Sequence, residues 1–218
     1  MALTDFNSLK AAVQTWCARS DSKFVGQMDT FVAAAEDRIY NGAGMADQDP
    51  IYSPALRVPV METSAAVAIT AGSGAFADEV LEIRTIVRAS DYVGQTYMPP
   101  ERREIAVANA GSATEIANYT ITGRTIKTVP AVDGTYTIGY YRKFTAISQD
   151  NTTGTLITAY PLLYLEATLY EAFTFIRDTE LAVGHLIKYR GLVQAANGVA
   201  SKFRTAGPLR RRTRGAIP

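Results

Sequence analysis

Few residues of this chain have side chains that could carry out chemistry. It has one histidine, His185, and one cysteine, Cys17, so a zinc site or a Cys/His catalytic pair has few candidates. Helical spacing places His185 on or beside the apolar face of a predicted helix, and Cys17 follows Trp16 on another. We interpret Cys17 as a core residue and His185 as a core or interface residue. Since the sequence also lacks a phosphate-binding glycine loop, a nucleophile elbow and an HExxH pair, it predicts no enzyme activity, no metal and no cofactor.

Two groups of charged residues have patterns that could indicate binding. Asp47 and Asp49 have the two-residue spacing of calcium loops, but the segment lacks the glycine and glutamate that complete such a loop. Residues 101–104 read Glu-Arg-Arg-Glu, which suits a charged contact patch or the solvated start of a helix. We favour a polar loop for the first group and a solvated helix start for the second.

The last residues of the chain, RTAGPLRRRTRGAIP, contain no acid. Residues 1–180 carry 14 basic and 21 acidic residues, a net charge of −7, whereas residues 181–218 carry eight basic residues and no acidic ones, a net charge of +8. An acidic body with a basic tail can associate head to tail with another copy or present the tail to an acidic partner. Gly207 and Pro208 break any helix, so the chain beyond them is predicted to be extended.

Composition limits the class of protein. A chain of 218 residues with 47% hydrophobic and 20% charged residues can form one large domain with a real core. No segment approaches the roughly 20 apolar residues of a membrane span, and the N-terminal residues do not have the pattern of a secretory signal. A single cysteine forms no internal disulfide, which suits a reducing cytoplasm. We therefore expect a protein assembled in the cytoplasm without membrane contact.

The N-terminal segment predicts two helices, which would position the chemistry-bearing residues of that end. The first apolar stripe is formed by Phe6, Leu9, Val13 and Trp16. The second is formed by Phe24, Met28, Phe31, Val32, Ala35 and Ile39. Thr4 is the candidate N-cap of the first helix, and Asn41-Gly42 ends the second in a left-handed turn.

Residues 57–145 have the pattern of strands. The segments RVPVMETSAAVAIT and EVLEIRTIVRAS are rich in branched residues with partial alternation, and AGSGAF between them predicts a turn. PPERREIAVANA predicts a short helix that opens with proline. Three compact strands follow, NYTIT, RTIKTV and TYTIGYYRKF, separated by good turn residues. Alternation in the last strand places Tyr136, Ile138 and Tyr140 on one face.

The C-terminal segment returns to helices. The first opens with Pro161, and its stripe is formed by Leu162, Leu165, Leu169, Phe173 and Ile176. Asp178 caps the second, whose stripe is formed by Leu181, His185, Leu186, Tyr189, Leu192, Val193 and Ala196. Gly198 is predicted to end it.

Tyrosine residues are plentiful from the last predicted strand to the first C-terminal helix, and apolar residues are plentiful in that helix. Six of the 12 tyrosines cluster there, and such residues serve cores and interfaces equally well; they are Tyr136, Tyr140, Tyr141, Tyr160, Tyr164 and Tyr170. Leu163, Tyr170 and Phe175 lie outside the apolar stripe of the helix that begins at Pro161. A helix that is apolar on more than one face packs on more than one side, which favours an oligomer or a sheet lying across the bundle.

The order of elements predicts an α+β fold. Helix pairs in residues 1–42 and 151–200 would form a helical bundle. An antiparallel β-rich region, residues 43–150, would be inserted between them, and residues 201–218 would form an extended basic arm.

This pattern resembles the head-to-tail adaptor (connector) proteins of tailed bacteriophages and related gene transfer agents. The likeness lies in the paired N-terminal helices, in the β segment ending in PAVDGTYTIGYYRKF, and in the helices that begin at YPLLYLEATLYEAF. Adaptors of this kind usually have Asp-Leu-Pro before the Glu-Ile-Arg strand, where this chain reads FADEVLEIR. The resemblance covers most of the chain and rests on the order of these pieces.

The resemblance implies a structural protein of the virion neck. Its partners would be further copies in a ring of usually twelve, the portal protein above, a tail or nozzle protein below, and genomic double-stranded DNA passing through the channel. It also implies that the C-terminal segment reaches into the portal. The docking residues would be Leu209, Arg210, Arg211, Arg212, Arg214 and Ile217, where arginines pair with carboxylates or carbonyls and the apolar side chains add contact.

The alternative is a DNA-binding protein that uses the same arm. Arg210, Arg211, Arg212 and Arg214 could contact phosphates, with binding that weakens steeply as salt rises. The body of the chain is acidic, however, and the sequence contains no known DNA-reading motif. A few arginines on an extended tail would bind DNA weakly and without sequence preference, so we favour docking to a protein.

Overall fold

The computed structural model describes residues 3–44, 49, 51–88, 91, 92, 96–99, 102 and 116–205. It combines helices with mainly antiparallel sheet, as the α+β prediction requires. The fold divides into two compact units. We call residues 1–12 with 60–161 the sheet unit, and residues 13–59 with 162–218 the helical unit.

The sheet unit contains eight strands in its described residues. They are β1 (Glu62–Ile69), β2 (Ser73–Ala75), β3 (Glu79–Arg88), β4 (Asp91–Tyr92), β5 (Thr96–Tyr97), β6 (Asn118–Thr122), β7 (Thr125–Val129) and β8 (Gly134–Lys143). One sheet has the order β1-β8-β3-β4 and the other β2-β7-β6-β5. Neighbouring strands are antiparallel, except for the parallel pair β5–β6. A 3-10 turn, Pro59–Met61, precedes β1.

Strand β8 lies inside its sheet and carries much of the core of this unit. It pairs with β1 along eight residues and with β3 on its other edge. Tyr136, Ile138 and Tyr140 are buried in one apolar cluster, which confirms the predicted face. The turn predicted in residues 71–76 is partly wrong, because Ser73–Ala75 form β2 against β7. The turn itself is shorter, at Ala71 and Gly72, which both have positive φ.

Helix α1 spans Phe6–Cys17. Its cap is Asp5 rather than the predicted Thr4, because an Asp5 carboxylate oxygen accepts the backbone N–H of Ser8 at 2.8 Å. The hydroxyl of Ser8 in turn accepts the backbone N–H of Asp5 at 3.1 Å. This reciprocal pair satisfies two donors that the first turn of a helix leaves free.

The second predicted helix is divided in two. Helix α2 spans Ser22–Val25 and helix α3 spans Met28–Asn41. The break falls at Gly26 and Gln27, where glycine weakens a helix. Gly42 follows α3 and ends it as predicted, but its φ of +72° and ψ of −171° lie outside the left-handed helical region, so the predicted left-handed turn is wrong in that detail.

The C-terminal helices are α4 (Thr155–Ala159), α5 (Pro161–Phe175) and α6 (Thr179–Thr205). Helix α4 was not predicted. Pro161 opens α5 as predicted, and an Asp178 carboxylate oxygen accepts the Leu181 N–H at 3.1 Å, which confirms that cap. Helix α6 continues through Gly198 to Thr205, so its predicted end is wrong and residues 201–205 are helical.

The buried face of α5 is wider than the predicted stripe. Leu165, Leu169 and Phe173 are buried as predicted, but Leu162 is 58% exposed. Leu163, predicted to lie off the stripe, is buried. Residues 163–165, 167–169 and 172–173 are all buried, an arc that excludes position 162. On α6, Leu181 is exposed and Ala182 is buried in its place.

Candidate interaction surfaces

His185 is held in an aromatic cluster of the helical unit. Its Nδ1 lies 2.7 Å from a carboxylate oxygen of Glu166. Its ring stacks on Phe173 with centroids 5.1 Å apart, and Trp16 meets it edge-on at 5.9 Å. With 4% of its surface exposed, His185 joins α1, α5 and α6 through packing and one polar contact. The predicted core role of His185 is therefore confirmed.

Cys17 is buried at the end of α1. Burial raises the pKa of its thiol to about 11, although the nearby Arg19 lowers it slightly. A thiol with so high a pKa is almost entirely protonated at neutral pH and reacts slowly, since the thiolate is the nucleophile. The position fits the predicted packing role.

The acidic loop offers no calcium site in its described part. Asp47 lies outside the described residues, while Asp49 accepts the backbone N–H of Ile51 at 2.9 Å, as in a tight polar turn. Among the described residues, no group of three or more His, Cys, Asp and Glu side chains could hold a metal. The predicted helix in residues 99–110 also lies largely outside the described residues.

Polar contacts join α3 to α5 inside the helical unit. The Tyr164 hydroxyl donates to the buried Glu36 carboxylate at 3.0 Å, and burial raises the pKa of Tyr164 far above its ordinary value. Arg38 donates to Glu171 at 3.1 Å and lies 4.4 Å from the ring centroid of Tyr170. Burial raises the pKa of Glu171 despite this arginine. These groups fix one helix against another.

The tyrosines singled out in the sequence are mostly core residues. Tyr136, Tyr140, Tyr141 and Tyr164 are each at most 2% exposed, and Tyr160 and Tyr170 are half-buried. The sequence left both a core role and an interface role open for these tyrosines, and the core role applies to the four that are buried.

The sheet unit has an open cavity of about 370 Å³ that the sequence did not indicate. Glu79, Glu82, Tyr97 and Tyr119 lie along it. The rings of Tyr97 and Tyr119 meet edge-on at 5.9 Å, and burial, followed by Glu82 and Tyr97, raises the pKa of Tyr119. Aromatic faces beside carboxylates can bind other molecules but form no catalytic group. Parallel pairing of β5 with β6 places Tyr97 beside Tyr119, and no turn in the sequence specifies that pairing.

The largest exposed apolar side chains of the helical unit include several on α6. We define the α6 outer face by its exposed residues, namely Thr179, Glu180, Leu181, Val183, Ile187, Lys188, Gly191, Gln194, Ala195 and Val199. Ile187 is 60% exposed, and Val183 and Val199 are each 52% exposed. Contiguous exposed apolar residues of this kind mark interaction surfaces more often than isolated ones.

The six predicted docking residues, Leu209, Arg210, Arg211, Arg212, Arg214 and Ile217, lie outside the described residues. Thr205, the last described residue, still belongs to helix α6. Within the described residues, no helix is long and apolar enough to cross a membrane.

Comparison with known families identifies the group to which these features belong. Residues 4–212 match the model of the SU10 adaptor protein family. The chain belongs to this family. It is a family of phage head-to-tail adaptors, which confirms the resemblance seen in the sequence. The family has a structural role in the virion neck and is not a class of enzymes. No curated protein matches the chain.

Proposed function

We propose that the protein is a head-to-tail adaptor that forms a ring, of twelve copies, beneath the portal. The ring docks the tail or nozzle protein and leaves a channel for genomic DNA. The observation that carries this proposal is the family match over residues 4–212. The exposed apolar α6 outer face gives further support, because a folded monomer gains nothing by leaving such residues in water.

We infer that each segment of the chain has the structural role that the sequence predicts. The helices in residues 1–42 and 151–200 would form the bundle, residues 43–150 the β-rich insert, and residues 201–218 the arm. Three contacts within the helical unit support the bundle: Arg38 with Glu171, Tyr164 with Glu36, and the Tyr189 hydroxyl with the Arg38 carbonyl at 3.2 Å. In this arrangement the start of the arm, residues 201–205, continues α6 as helix.

The arm is the proposed portal-docking element. Its four arginines pair with carboxylates or carbonyls of the portal, and Leu209 and Ile217 add apolar contact. An arm of this composition buries too little surface alone to offset the entropy of ordering it. It therefore gains most when a partner holds it.

Deleting residues 207–218 tests the docking role. We expect the truncated protein to keep the circular dichroism spectrum and unfolding temperature of the full chain and to lose binding to purified portal rings. A variant with Arg210, Arg211, Arg212 and Arg214 changed to glutamine separates charge from length, and L209A/I217A tests the apolar part. Normal portal binding by the truncated protein would refute the proposal.

The channel wall would be acidic. If carboxylates of the acidic residues 1–180 line the channel, they repel the DNA backbone and prevent it from adhering during passage. Electron microscopy of the assembled neck would show the copy number and which residues, acidic or basic, line the channel wall. A basic wall would remove this part of the proposal.

A further inference from the structure

Strand β1 lies at the edge of its sheet, and only one of its two sides is paired along its length. Its inner side pairs with β8 over Glu62–Ile69 without a bulge. Just after the strand, the turn at Ala71 and Gly72 joins the backbone of Thr70 to that of Ser73 through two hydrogen bonds of 2.9 Å. These two bonds show which backbone groups of β1 point away from β8.

The outward backbone groups of β1 belong to every second residue, because N–H and C=O groups alternate in direction along an antiparallel strand. Thr70 turns its groups outward to Ser73, and Ser64 and Ala66 precede it by an even number of residues, so they point the same way. Among the described residues, neither Ser64 nor Ala66 has a backbone partner on that side. Both are exposed, so this part of the edge is open to another strand.

Strand β1 lacks the features that protect an edge from pairing. Natural edge strands are shielded by lysine, proline, bulges or short length. Strand β1 has eight residues, no bulge against β8, and neither a charged residue nor proline from Thr63 to Ile69. Its one charged residue, Glu62, lies 4.0 Å from Arg84, so the two charges largely cancel. The edge therefore selects a partner by extended backbone and not by charge.

The core side of the same edge offers apolar contact. Ala65 is half-buried and packs against the apolar cluster that contains Val67 and Ile138. Side chains of an added strand lie directly beside those of the strand that it joins, so a branched side chain next to Ala65 would extend this cluster. Ser64 and Ala66 face the exposed side, where polar neighbours suffice. The fitting segment is therefore extended, alternates apolar with polar residues and contains no proline.

A second copy of this chain fits the edge poorly. The other edge strands in the described part of the chain are short, since β2 has three residues and β4 and β5 have two each. Two β1 edges could pair with each other, but that twofold contact closes a dimer and not a ring. The C-terminal arm is assigned to the portal. The partner that has no assigned surface is the tail or nozzle protein.

We propose that β1 accepts an extended segment of the tail or nozzle protein as an added strand, through the backbone groups of Ser64 and Ala66. Each of these two residues donates one hydrogen bond to the added strand and accepts one from it, as neighbouring strands of a sheet do. The inference rests on the proposed function, because it assigns the surface through which the ring holds the protein beneath it.

Replacing Ser64 with proline tests the added strand. Proline removes an N–H that points away from β8, a place where edge strands tolerate it. S64P in the full chain should therefore still form rings and change the unfolding temperature by less than about 4 °C. It should weaken binding of the purified tail or nozzle protein at least about tenfold, because the ladder loses a donor and an acceptor of the partner stays unpaired.

The matched control is A65P, which removes an N–H at the next residue. This N–H points to β8, so A65P should lower the unfolding temperature by more than S64P does, because it breaks a bond inside the sheet. If S64P lowers the unfolding temperature as much as A65P, the assigned direction of the backbone groups is wrong and the inference is overturned.

Hydrogen exchange of the unmodified ring tests the same contact without a substitution. In the ring alone, the amides of Ser64 and Ala66 should exchange faster than those of Thr63 and Ala65, which point to β8. Addition of the tail or nozzle protein should slow Ser64 and Ala66 at least about tenfold and leave Thr63 and Ala65 unchanged. Mass spectrometry with fragmentation after exchange resolves the single amides. Unchanged exchange at Ser64 and Ala66 in the ring that holds the tail protein would overturn the inference.

The unmodified chain distinguishes this inference from the proposed function. If its rings bind portal and tail protein, and S64P rings bind the tail protein equally well, the adaptor function stands and only the assigned edge is wrong. If folded S64P no longer forms rings, β1 pairs copies of this chain and the assigned occupant is wrong. If the unmodified chain forms no ring and binds neither partner, the proposed function fails and the assigned edge fails with it.

Discussion

At the scale of single residues, burial decides chemical behaviour. Cys17 and Glu171 are ordinary side chains in the sequence, and the fold raises the pKa of both mainly by removing them from water. Charged forms are less stable in an apolar surrounding. The lone histidine, a possible catalytic base from its type alone, is instead packed between Phe173 and Trp16. Residue types therefore indicated the candidates, and packing determined their roles.

Cys17 should resist modification while the protein is folded. Its thiol pKa of about 11, against 9.0 for an unperturbed thiol, lowers the thiolate fraction at pH 8 about a hundredfold, and burial hinders access further. We expect Ellman's reagent to react at least about a hundredfold more slowly with the native chain than with the chain in denaturant. Equal rates in the two states would contradict the burial of this residue.

Glu171 should make stability depend on pH. Burial raises its pKa in the folded state above the unfolded value, despite Arg38. In the window between the two values the folded state binds more protons, so the free energy of unfolding falls as pH rises through it. We expect this fall to begin near 4.5, the ordinary pKa of a glutamate, and to be absent in E171Q.

Urea unfolding at closely spaced pH values measures the effect. E180Q, a change at an exposed carboxylate of α6, is the matched control and should keep the fall. If E171Q and E180Q show the same pH dependence, Glu171 does not carry the effect.

At the scale of elements, periodicity and turn residues made strands β6, β7 and β8 and helices α5 and α6 predictable. Sequence patterns did not predict which of two neighbouring residues caps a helix, where a helix ends, or which apolar residue is exposed. Asp5 rather than Thr4 caps α1 because its carboxylate reaches the Ser8 N–H. Gly198 stays helical because the three glycines of α6 weaken the helix without breaking it. The exposed position of Leu162 depends on where neighbouring helices lie, which spacing alone does not fix.

The cap of α6 is worth a measurable amount of stability. The Asp178 carboxylate accepts the Leu181 N–H at 3.1 Å, and losing such a cap costs about 1 kcal/mol. We expect D178A to lower the free energy of unfolding by about that amount and T179A, at the next exposed residue, to change it by less than about 0.5 kcal/mol. Similar losses in both variants would show that the cap is not the cause.

At the scale of the whole molecule, charge is distributed unevenly along the chain. The sequence shows that acidic residues come first and basic residues last, and the structure shows which helices carry some of these charges. Helix α6 carries Lys188, Arg190, Lys202 and Arg204 but no acid after Glu180, whereas α3 exposes Asp29 and Asp37. The sequence could not show which faces these charges occupy, because facing depends on how α3, α5 and α6 pack. The docking arm remains a prediction.

Salt should therefore weaken both associations of this protein, to different extents. Attraction between exposed opposite charges is screened over about 10 Å at 0.1 M salt and about 3 Å at 1 M. We expect portal binding to weaken strongly between about 0.1 and 1 M salt, because the arm presents four arginines. Ring formation should weaken less, because apolar contacts of Val183 and Ile187 resist screening. Titrations of both associations in sodium chloride measure this, and stronger salt dependence of the ring than of portal binding would contradict the roles assigned to the arm and the α6 outer face.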